Sequence, residues 1–235
     1  MILVTGGSGC LGTELTKLID CKSPTRKEFD ITSDSSIVKW FLQNDNVNMI
    51  VHGAAYTDVS NAEKDKDLCY NINVRGTERL ALIGLPMVYI STEYIFDGEK
   101  GNYSEEDTPN PKNFYALTKL LGEFESKITD HLIIRTLLKP KPFEHQAACV
   151  DQFTSGDYVD VIAQEIAIAI KAWEGNKQVF GSNIINIGTG RKSTFELAKQ
   201  TRDVRPITVE SIGVRLPKDT SLDVTKWTTF KRTMI

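Results

Sequence analysis

Tyr115 and Lys119 form a Tyr-x-x-x-Lys pattern at the start of a periodic apolar segment. On a helix, this spacing places the phenol and the ammonium one turn apart on the same face. Because a nearby cation stabilises a phenolate, we expect Lys119 to lower the pKa of Tyr115, which would then donate a proton. Ser91 and Thr92 follow the apolar run 88–90, and a hydroxyl there can hydrogen-bond a carbonyl oxygen. The pattern alone is also compatible with a surface pair, so its meaning depends on the rest of the chain.

A glycine-rich stretch lies between an apolar strand and the start of a helix. Gly6, Gly9 and Gly12 satisfy G-x-x-G-x-x-G, and Gly7, Gly9 and Gly12 satisfy G-x-G-x-x-G. Glycine is needed where the backbone turns sharply, approaches a pyrophosphate and packs a helix start against the strand. The anion then meets the N-terminus of the helix. This context predicts a dinucleotide site, and the alternative is a glycine-rich turn that binds no ligand.

The residues about 20 positions beyond the glycine loop decide which dinucleotide fits. An acidic side chain there would bind the ribose diol of NAD, whereas cations would neutralise the 2′-phosphate of NADP. Arg26 and Lys27 occupy this region and precede Glu28. They favour NADP(H) over NAD(H), and the alternative is that both are solvated surface cations.

Apolar runs and helical periodicities alternate along the chain, and this alternation predicts a Rossmann-type α/β fold with a doubly wound parallel sheet. The predicted strands are 1–5, 47–52, 87–91, 131–135 and 184–187. The predicted helices carry apolar faces at Leu11, Leu15, Leu18 and Ile19, at Leu117, Leu120, Leu121 and Phe124, and over 159–173, and a Ser193-x-x-Glu196 capping box opens one that runs to about 201. We expect a dinucleotide-binding domain over 1–138 and a small, shortened C-terminal substrate lobe over 139–235, with strand 184–187 returning to the main sheet.

Composition and charge restrict the classes of protein to which the chain can belong. Its 235 residues are 40% hydrophobic and 25% charged, which fits one compact body. A net charge of −3 without a basic stripe disfavours nucleic acid, and neither a membrane span nor a secretory leader is expected. The cysteines at 10, 21, 69 and 149 lack metal-site spacing. Reduced thiols, no metal and a cytoplasmic location are therefore expected.

The glycine loop, the stretch Ser91-Thr92-Glu93-Tyr94-Ile95-Phe96-Asp97-Gly98 and the Tyr-x-x-x-Lys pattern occur together in a known family. On these motifs the chain resembles the extended short-chain dehydrogenase/reductases, and most closely the dTDP-4-dehydrorhamnose reductase group. Supporting stretches lie at 52–59, 73–77, 105–111, 151–153 and 217–226. The resemblance implies a catalytic set of Thr92, Tyr115 and Lys119, and substrate contacts from Thr92, Glu93 and Arg215. The expected cofactor-binding residues are Gly6, Gly9, Cys10, Leu11, Gly12, Arg26, Asp30, Ala54, Ala55, Tyr56, Asn73, Ser91, Tyr115 and Lys119.

The implied activity is NAD(P)H-dependent reduction of a nucleotide-linked 4-keto-6-deoxy sugar, with a hydride from the nicotinamide and a proton from Tyr115. A sugar-nucleotide epimerase or dehydratase is an alternative, although dehydratases carry Asp-Glu where this chain has Glu93-Tyr94. A second alternative is a non-catalytic, NADP-binding regulatory subunit, because one relative of this group serves a methionine adenosyltransferase in that way. Leu137 stands where the family commonly has an aromatic residue, and the segment 137–150 is short. The expected partner is a small-molecule sugar nucleotide, and a homodimer is left open.

Overall fold

A six-stranded parallel sheet forms the centre of the computed structural model, which describes residues 1–212 and 216–234. In chain order the strands are β1 (Ile2–Thr5), β2 (Cys21–Lys22), β3 (Met49–His52), β4 (Met87–Ile90), β5 (His131–Arg135), β6 (Leu138–Lys139), β7 (Ala147–Cys149), β8 (Phe153–Thr154), β9 (Asp157–Tyr158), β10 (Ile184–Asn186), β11 (Lys192–Ser193) and β12 (Arg205–Ile207). The order across the sheet is β10-β5-β4-β3-β1-β2. All five strands expected from apolar runs are confirmed. The short β2 was missed because its two half-buried residues form no apolar run.

Helices cover both faces of this sheet. They are α1 (Cys10–Leu15), α2 (Asp34–Leu42), α3 (Val59–Ala62), α4 (Lys66–Tyr70), α5 (Gly76–Ala81), α6 (Phe114–Ser126), α7 (Val159–Gly175), α8 (Thr194–Lys199) and α9 (Thr225–Arg232), and a π-helical turn over Asn71–Arg75 joins α4 to α5. Successive residues of β1 point to opposite faces, so Ile2 packs with α1 and α7 while Leu3 packs with α2 and α5. Both clusters are apolar, and the expected doubly wound α/β class is confirmed. In the described part of the chain, no helix has the length and apolar character that a membrane span requires.

The sequence predicted α6 correctly as a helix, but the expected apolar face is wrong in part. Leu117 and Phe124 are 39% and 56% exposed. The helix instead buries these residues: Tyr115, Ala116, Thr118, Lys119, Gly122, Glu123 and Ser126. Polar side chains can occupy the buried face because they find hydrogen-bond partners on neighbouring elements. The helix therefore directs the titratable residues Tyr115, Lys119 and Glu123 to the interior.

The chain beyond residue 138 contributes both to the main body and to smaller ladders. Strands β6 and β9, β7 and β12, and β8 and β11 pair outside the central sheet. The capping box is confirmed, since Ser193 Oγ accepts from the backbone of Glu196 while the Glu196 carboxylate accepts from the backbone of Ser193. Helices α7 and α9 pack on the sheet, and β10 pairs with β5. The boundary at 138/139 remains a prediction.

Candidate active site

The loop from β1 to α1 has a shape that only glycines allow. Gly6 has φ +76°, and a Cβ there would lie 2.7 Å from the backbone nitrogen of Ala54. A Cβ on Gly12 would lie 2.3 Å from the carbonyl oxygen of Gly6, which also accepts a 2.9 Å hydrogen bond from the Gly9 nitrogen. Side chains at these positions would clash with backbone rather than with flexible atoms. The loop therefore provides the close backbone cradle that a pyrophosphate requires.

One cavity of about 630 Å³ extends from the glycine loop to the carboxyl ends of β4 and β5. Its walls bring together residues that are distant in the sequence. The expected site residues that line it are Gly6, Gly9, Cys10, Leu11, Gly12, Arg26, Asp30, Ala54, Ala55, Ser91, Thr92, Tyr115 and Lys119. A pocket at this edge of an open parallel sheet is where ligands bind in α/β folds. Its size and glycine cradle fit a dinucleotide.

Arg26 and Asp30 form the end of the cavity that follows β2. The Asp30 carboxylate accepts 2.9 Å and 2.7 Å hydrogen bonds from the backbone nitrogen and the hydroxyl of Thr32. Burial raises the pKa of Asp30, but these hydrogen bonds and the charges of Arg26 and Arg79 outweigh it and hold the pKa below its ordinary value. Lys27 does not line the cavity. Of the two expected cations, Arg26 is the one placed to meet a ligand.

Lys119 lies on the buried face of α6 and lines the cavity. Its Nζ donates a 2.8 Å hydrogen bond to the carbonyl oxygen of Ile90 and lies 4.2 Å from the centroid of the Tyr89 ring. Burial lowers the pKa of Lys119 to about 7, while the charges of Glu123 and Cys69 oppose that shift. A cation–π contact and a carbonyl acceptor thus hold an ammonium group that burial disfavours.

Tyr115 has a raised pKa, contrary to the expectation that Lys119 lowers it. The side chain is 8% exposed, and burial is the largest cause of the shift. Tyr94 and Cys69 raise the pKa further, and a hydrogen bond with Thr92 opposes them. Lys119 is not among the groups that contribute to this shift. The phenol is therefore protonated at neutral pH.

Three expected site residues, Tyr56, Asn73 and Glu93, do not line the cavity. Asn73 supports the loop after β3, since its Oδ1 accepts from the Tyr56 nitrogen at 2.7 Å and its Nδ2 donates to the Tyr56 carbonyl at 3.1 Å. Glu93 was expected to contact substrate, but it is fully buried and its carboxylate accepts from the hydroxyls of Thr154 and Thr220 at 2.9 Å and 2.7 Å. Arg215 lies outside the described residues.

The cavity also has lining residues that the sequence motifs did not predict, apart from Leu137, which the family resemblance had already singled out. The segment after β5 contributes Thr136, Leu137, Leu138, Lys139 and Pro140. A signal for it was present, because β5 ends at the same edge of the sheet as β4. Other missed lining residues include Thr57, Val59, Ile72 and Tyr94.

A profile of the family described as RmlD substrate binding domain matches residues 1–138, which is more than half of the chain. The chain belongs to this family. The spore coat polysaccharide biosynthesis protein SpsK of Bacillus subtilis is 29% identical to this chain over 245 residues, a match that spans 92% of this chain and 86% of SpsK. The solved dTDP-4-dehydrorhamnose reductase of Bacillus anthracis in complex with NADP is similar over 99% of this chain and 98% of its own, with a TM-score of 0.83 and 27% identity.

Two further relatives match about half of this chain. The dTDP-4-dehydrorhamnose reductase of Mycobacterium tuberculosis is 32% identical over 136 residues, which is 52% of this chain and 44% of the reductase. The methionine adenosyltransferase 2 subunit beta of Danio rerio is 34% identical over 137 residues, which is 53% of this chain and 42% of that subunit. Both matches therefore span less than half of the relative's own length. The glycine loop and the Tyr-x-x-x-Lys helix lie within the family match over residues 1–138.

Proposed function

We propose that the protein reduces a nucleotide-linked 4-keto-6-deoxy sugar with NADP(H) as cofactor. The observation that carries the proposal is one continuous cavity that joins the glycine loop to Thr92, Tyr115 and Lys119. Relatives named dTDP-4-dehydrorhamnose reductase, one of them in complex with NADP, support the substrate class and the cofactor.

The chain offers a set of groups that would hold the dinucleotide. The backbone at Gly6, Gly9 and Gly12 would bind the pyrophosphate, and Arg26 would neutralise a 2′-phosphate. Ala54 and Ala55 would contact the cofactor with side chains small enough to allow close approach, and Lys119 would bind the nicotinamide ribose. When bound, the nicotinamide supplies the hydride for the carbonyl carbon.

Thr92 and Tyr115 would act on the carbonyl oxygen of the sugar. The Thr92 hydroxyl would orient that oxygen, and Tyr115 would donate a proton to it as negative charge develops. A raised pKa keeps the phenol protonated before reaction. An alkoxide is a stronger base than a phenolate, so the transfer remains favourable.

Two other functions compete with this proposal. A dehydratase needs a carboxylate beside the Thr, but both oxygens of Glu93 are already bound by Thr154 and Thr220. The likeness to a methionine adenosyltransferase beta subunit favours a regulatory role as the second candidate. The presence of Thr92, Tyr115 and Lys119 in one cavity favours catalysis over that role.

An assay with NADPH and a panel of nucleotide-linked 4-keto sugars tests the function. We expect NADPH absorbance to fall with time for a 4-keto-6-deoxyhexose, measured beside a no-sugar control. NADPH binding without consumption for any member of the panel would contradict the reductase and favour the regulatory subunit.

The choice of cofactor has its own test. Arg26→Ala should weaken NADPH binding at least about tenfold more than NADH binding, because it removes a charge-assisted contact. Lys27→Ala is the matched control, since Lys27 is an exposed neighbour outside the cavity. Equal losses for the two cofactors would contradict a 2′-phosphate contact at Arg26.

We also propose a cytoplasmic homodimer. All four cysteines are free thiols, which fits a reducing compartment. The exposed residues Leu117, Phe124 and Ile128 leave apolar surface on and just after α6 that a second copy would cover. Light scattering that gives the mass of one chain at micromolar concentration would contradict the dimer.

A further inference from the structure

Ser91 lies just after β4 and lines the cavity, although the residue is only 4% exposed. The Ser91 hydroxyl donates a 2.6 Å hydrogen bond to Oε1 of Glu123. Glu123 is one helical turn beyond Lys119 on the buried face of α6 and does not line the cavity. The carboxylate therefore approaches Ser91 from behind the cavity wall.

Arg135, the last residue of β5, holds this carboxylate in place. Its Nε donates to Oε1 of Glu123 at 3.1 Å and its Nη2 donates to Oε2 at 2.9 Å. Its Nη1 donates to the carbonyl oxygen of Glu105 at 3.1 Å, which fixes the guanidinium from the other side. Both side chains of the ion pair are at most 4% exposed. The two-point contact leaves the carboxylate little freedom to turn away from Ser91.

These contacts decide which kind of hydrogen bond Ser91 can make. A hydroxyl has one proton to donate, whereas an ionised carboxylate can only accept. Because the proton of Ser91 is committed to Glu123, the hydroxyl presents only its lone pairs to the cavity. Any ligand group that hydrogen-bonds it must therefore be a donor.

We propose that Glu123 and Arg135 are positioning residues that make Ser91 an obligate acceptor, and that Ser91 binds an N–H or O–H donor of the bound ligands. The inference rests on the proposed function for the identity of those ligands. Two sources offer a donor, the carboxamide of the nicotinamide and a hydroxyl of the sugar. A buried ion pair is weak evidence of a purely stabilising role, because apolar residues of similar volume often replace such a pair without loss of stability.

The first arm of the test measures binding by calorimetry with the full chain. NADP⁺ is compared with its 3-acetylpyridine analogue, in which a methyl group replaces the amino group of the carboxamide. If the donor is the carboxamide, Ser91→Ala weakens NADP⁺ binding by about 2- to 10-fold and leaves binding of the analogue unchanged. The preference for NADP⁺ over the analogue then disappears.

The second arm measures kinetics and identifies a donor on the sugar. In that case Ser91→Ala leaves both calorimetric affinities unchanged and raises the KM for the sugar by a similar factor. If the wild-type chain reduces no sugar, the proposed function fails and the calorimetric arm alone decides. Unchanged affinities combined with an unchanged KM, or with no turnover at all, overturn the proposal.

A paired substitution tests the positioning residues without leaving a lone buried charge. Glu123→Leu combined with Arg135→Met should fold, because it replaces the ion pair with apolar side chains. The paired variant frees the Ser91 proton. Whichever quantity Ser91→Ala changes, the preference for NADP⁺ over the analogue or the KM for the sugar, should therefore move toward its value in Ser91→Ala. Added to Ser91→Ala, the pair should change that quantity no further. If the ion pair serves structure alone, the paired variant has the wild-type NADP⁺ preference and the wild-type KM for the sugar, or its effect on these quantities adds fully to that of Ser91→Ala. Either result overturns the positioning role.

If the paired variant fails to fold, Glu123→Gln replaces it. An amide can donate as well as accept, so Ser91 is no longer obliged to donate. The same shift is expected, and a preference and KM equal to the wild-type values overturn the positioning role.

Discussion

Tyr115, Lys119 and Glu93 owe their shifted pKa values first to burial rather than to a charged neighbour. Burial favours the neutral form of each group, so the phenol and the carboxyl hold their protons more tightly while the ammonium loses its proton more easily. Lys119, which lines the cavity, and Glu93, which lies outside it, are therefore close to a change of protonation at neutral pH, whereas Tyr115 keeps its proton.

Removal of the Tyr115 hydroxyl should separate catalysis from binding. Tyr115→Phe keeps the ring and its packing beside Ala62 and Cys69. It removes the proposed proton donor, so kcat should fall by about 10² to 10⁴ while NADPH affinity changes by less than about threefold. Steady-state kinetics and calorimetry measure the two quantities. Tyr94→Phe, at another tyrosine of the cavity wall, is the control, and a Tyr115→Phe enzyme as active as this control would exclude the proposed acid.

Glu93 should make the folded chain less stable as pH rises. Burial raises its pKa from 4.5 to about 7, so the folded state binds this proton more tightly than the unfolded state. The stabilisation is fully present below pH 4.5 and is lost as pH rises through about 7, a loss of roughly 3 kcal/mol at about 1.4 kcal/mol per pH unit. Glu93→Gln cannot titrate and should not show this loss. Urea unfolding at a pH just below 4.5 and at a pH above 7 measures it, with exposed Glu99→Gln as the control. Equal pH dependence in wild type and Glu93→Gln would contradict the assignment.

Helix α6 positions two residues of the proposed site, with Tyr115 in its first turn and Lys119 one turn later. Asn113 caps the helix, and its Oδ1 accepts a 2.8 Å hydrogen bond from the Ala116 nitrogen. The position of the phenol therefore depends on a well-formed first turn.

Asn113→Ala should lower the free energy of unfolding by about 1 kcal/mol, because an orphan N–H of the first turn loses its acceptor. It should also lower kcat several-fold by loosening Tyr115, and Asn113→Ser should restore much of both. Ser193→Ala removes the cap of α8, where no catalytic residue is proposed, and should reduce stability alone. Denaturant unfolding and steady-state kinetics provide the measurements. Equal kcat losses in the two cap variants would contradict a local role for the α6 cap.

At the scale of the whole molecule, the C-terminal elements help to complete the main body. Trp227 of α9 is fully buried and packs edge-on against Phe180. Its Nε1 donates a 2.6 Å hydrogen bond to Oε2 of Glu165 on α7, and Lys231 donates to Oε1 of the same carboxylate at 2.9 Å. Helix α9 is thereby fastened to α7, which covers the central sheet.

Trp227→Ala should therefore weaken the whole fold rather than its end alone. Removal of a fully buried indole from a packed core costs about 3–5 kcal/mol. We expect a single cooperative urea transition with a lower midpoint, and Trp227→Phe should lose less. A variant in which α9 detaches at low urea while the rest unfolds at the wild-type midpoint would contradict this coupling.

Local patterns in the sequence were enough for five of the six strands of the central sheet, for four of the helices and for the family. Two-sided apolar runs predicted β1, β3, β4, β5 and β10, because strands buried on both faces need continuous apolar residues. The sequence also predicted the glycine loop and the Ser193 capping box, because each depends on residues within a few positions of each other. The glycine loop, the stretch 91–98 and the Tyr-x-x-x-Lys pattern also placed the chain in its family.

Contacts between residues far apart in the chain decided the rest. Periodicity suggested an apolar face for α6, but partners on other strands allow its polar face to be buried, including Glu123, which binds Ser91 from 32 residues away. Glu93 lies outside the cavity because its carboxylate oxygens accept hydrogen bonds from the hydroxyls of Thr154 and Thr220, which lie 61 and 127 residues further along the chain. The protonation of Lys119 and Tyr115 likewise depends on how many atoms the folded chain packs around them. Desolvation and long-range hydrogen bonds exist only once the chain has folded, so no local pattern in the sequence encodes them.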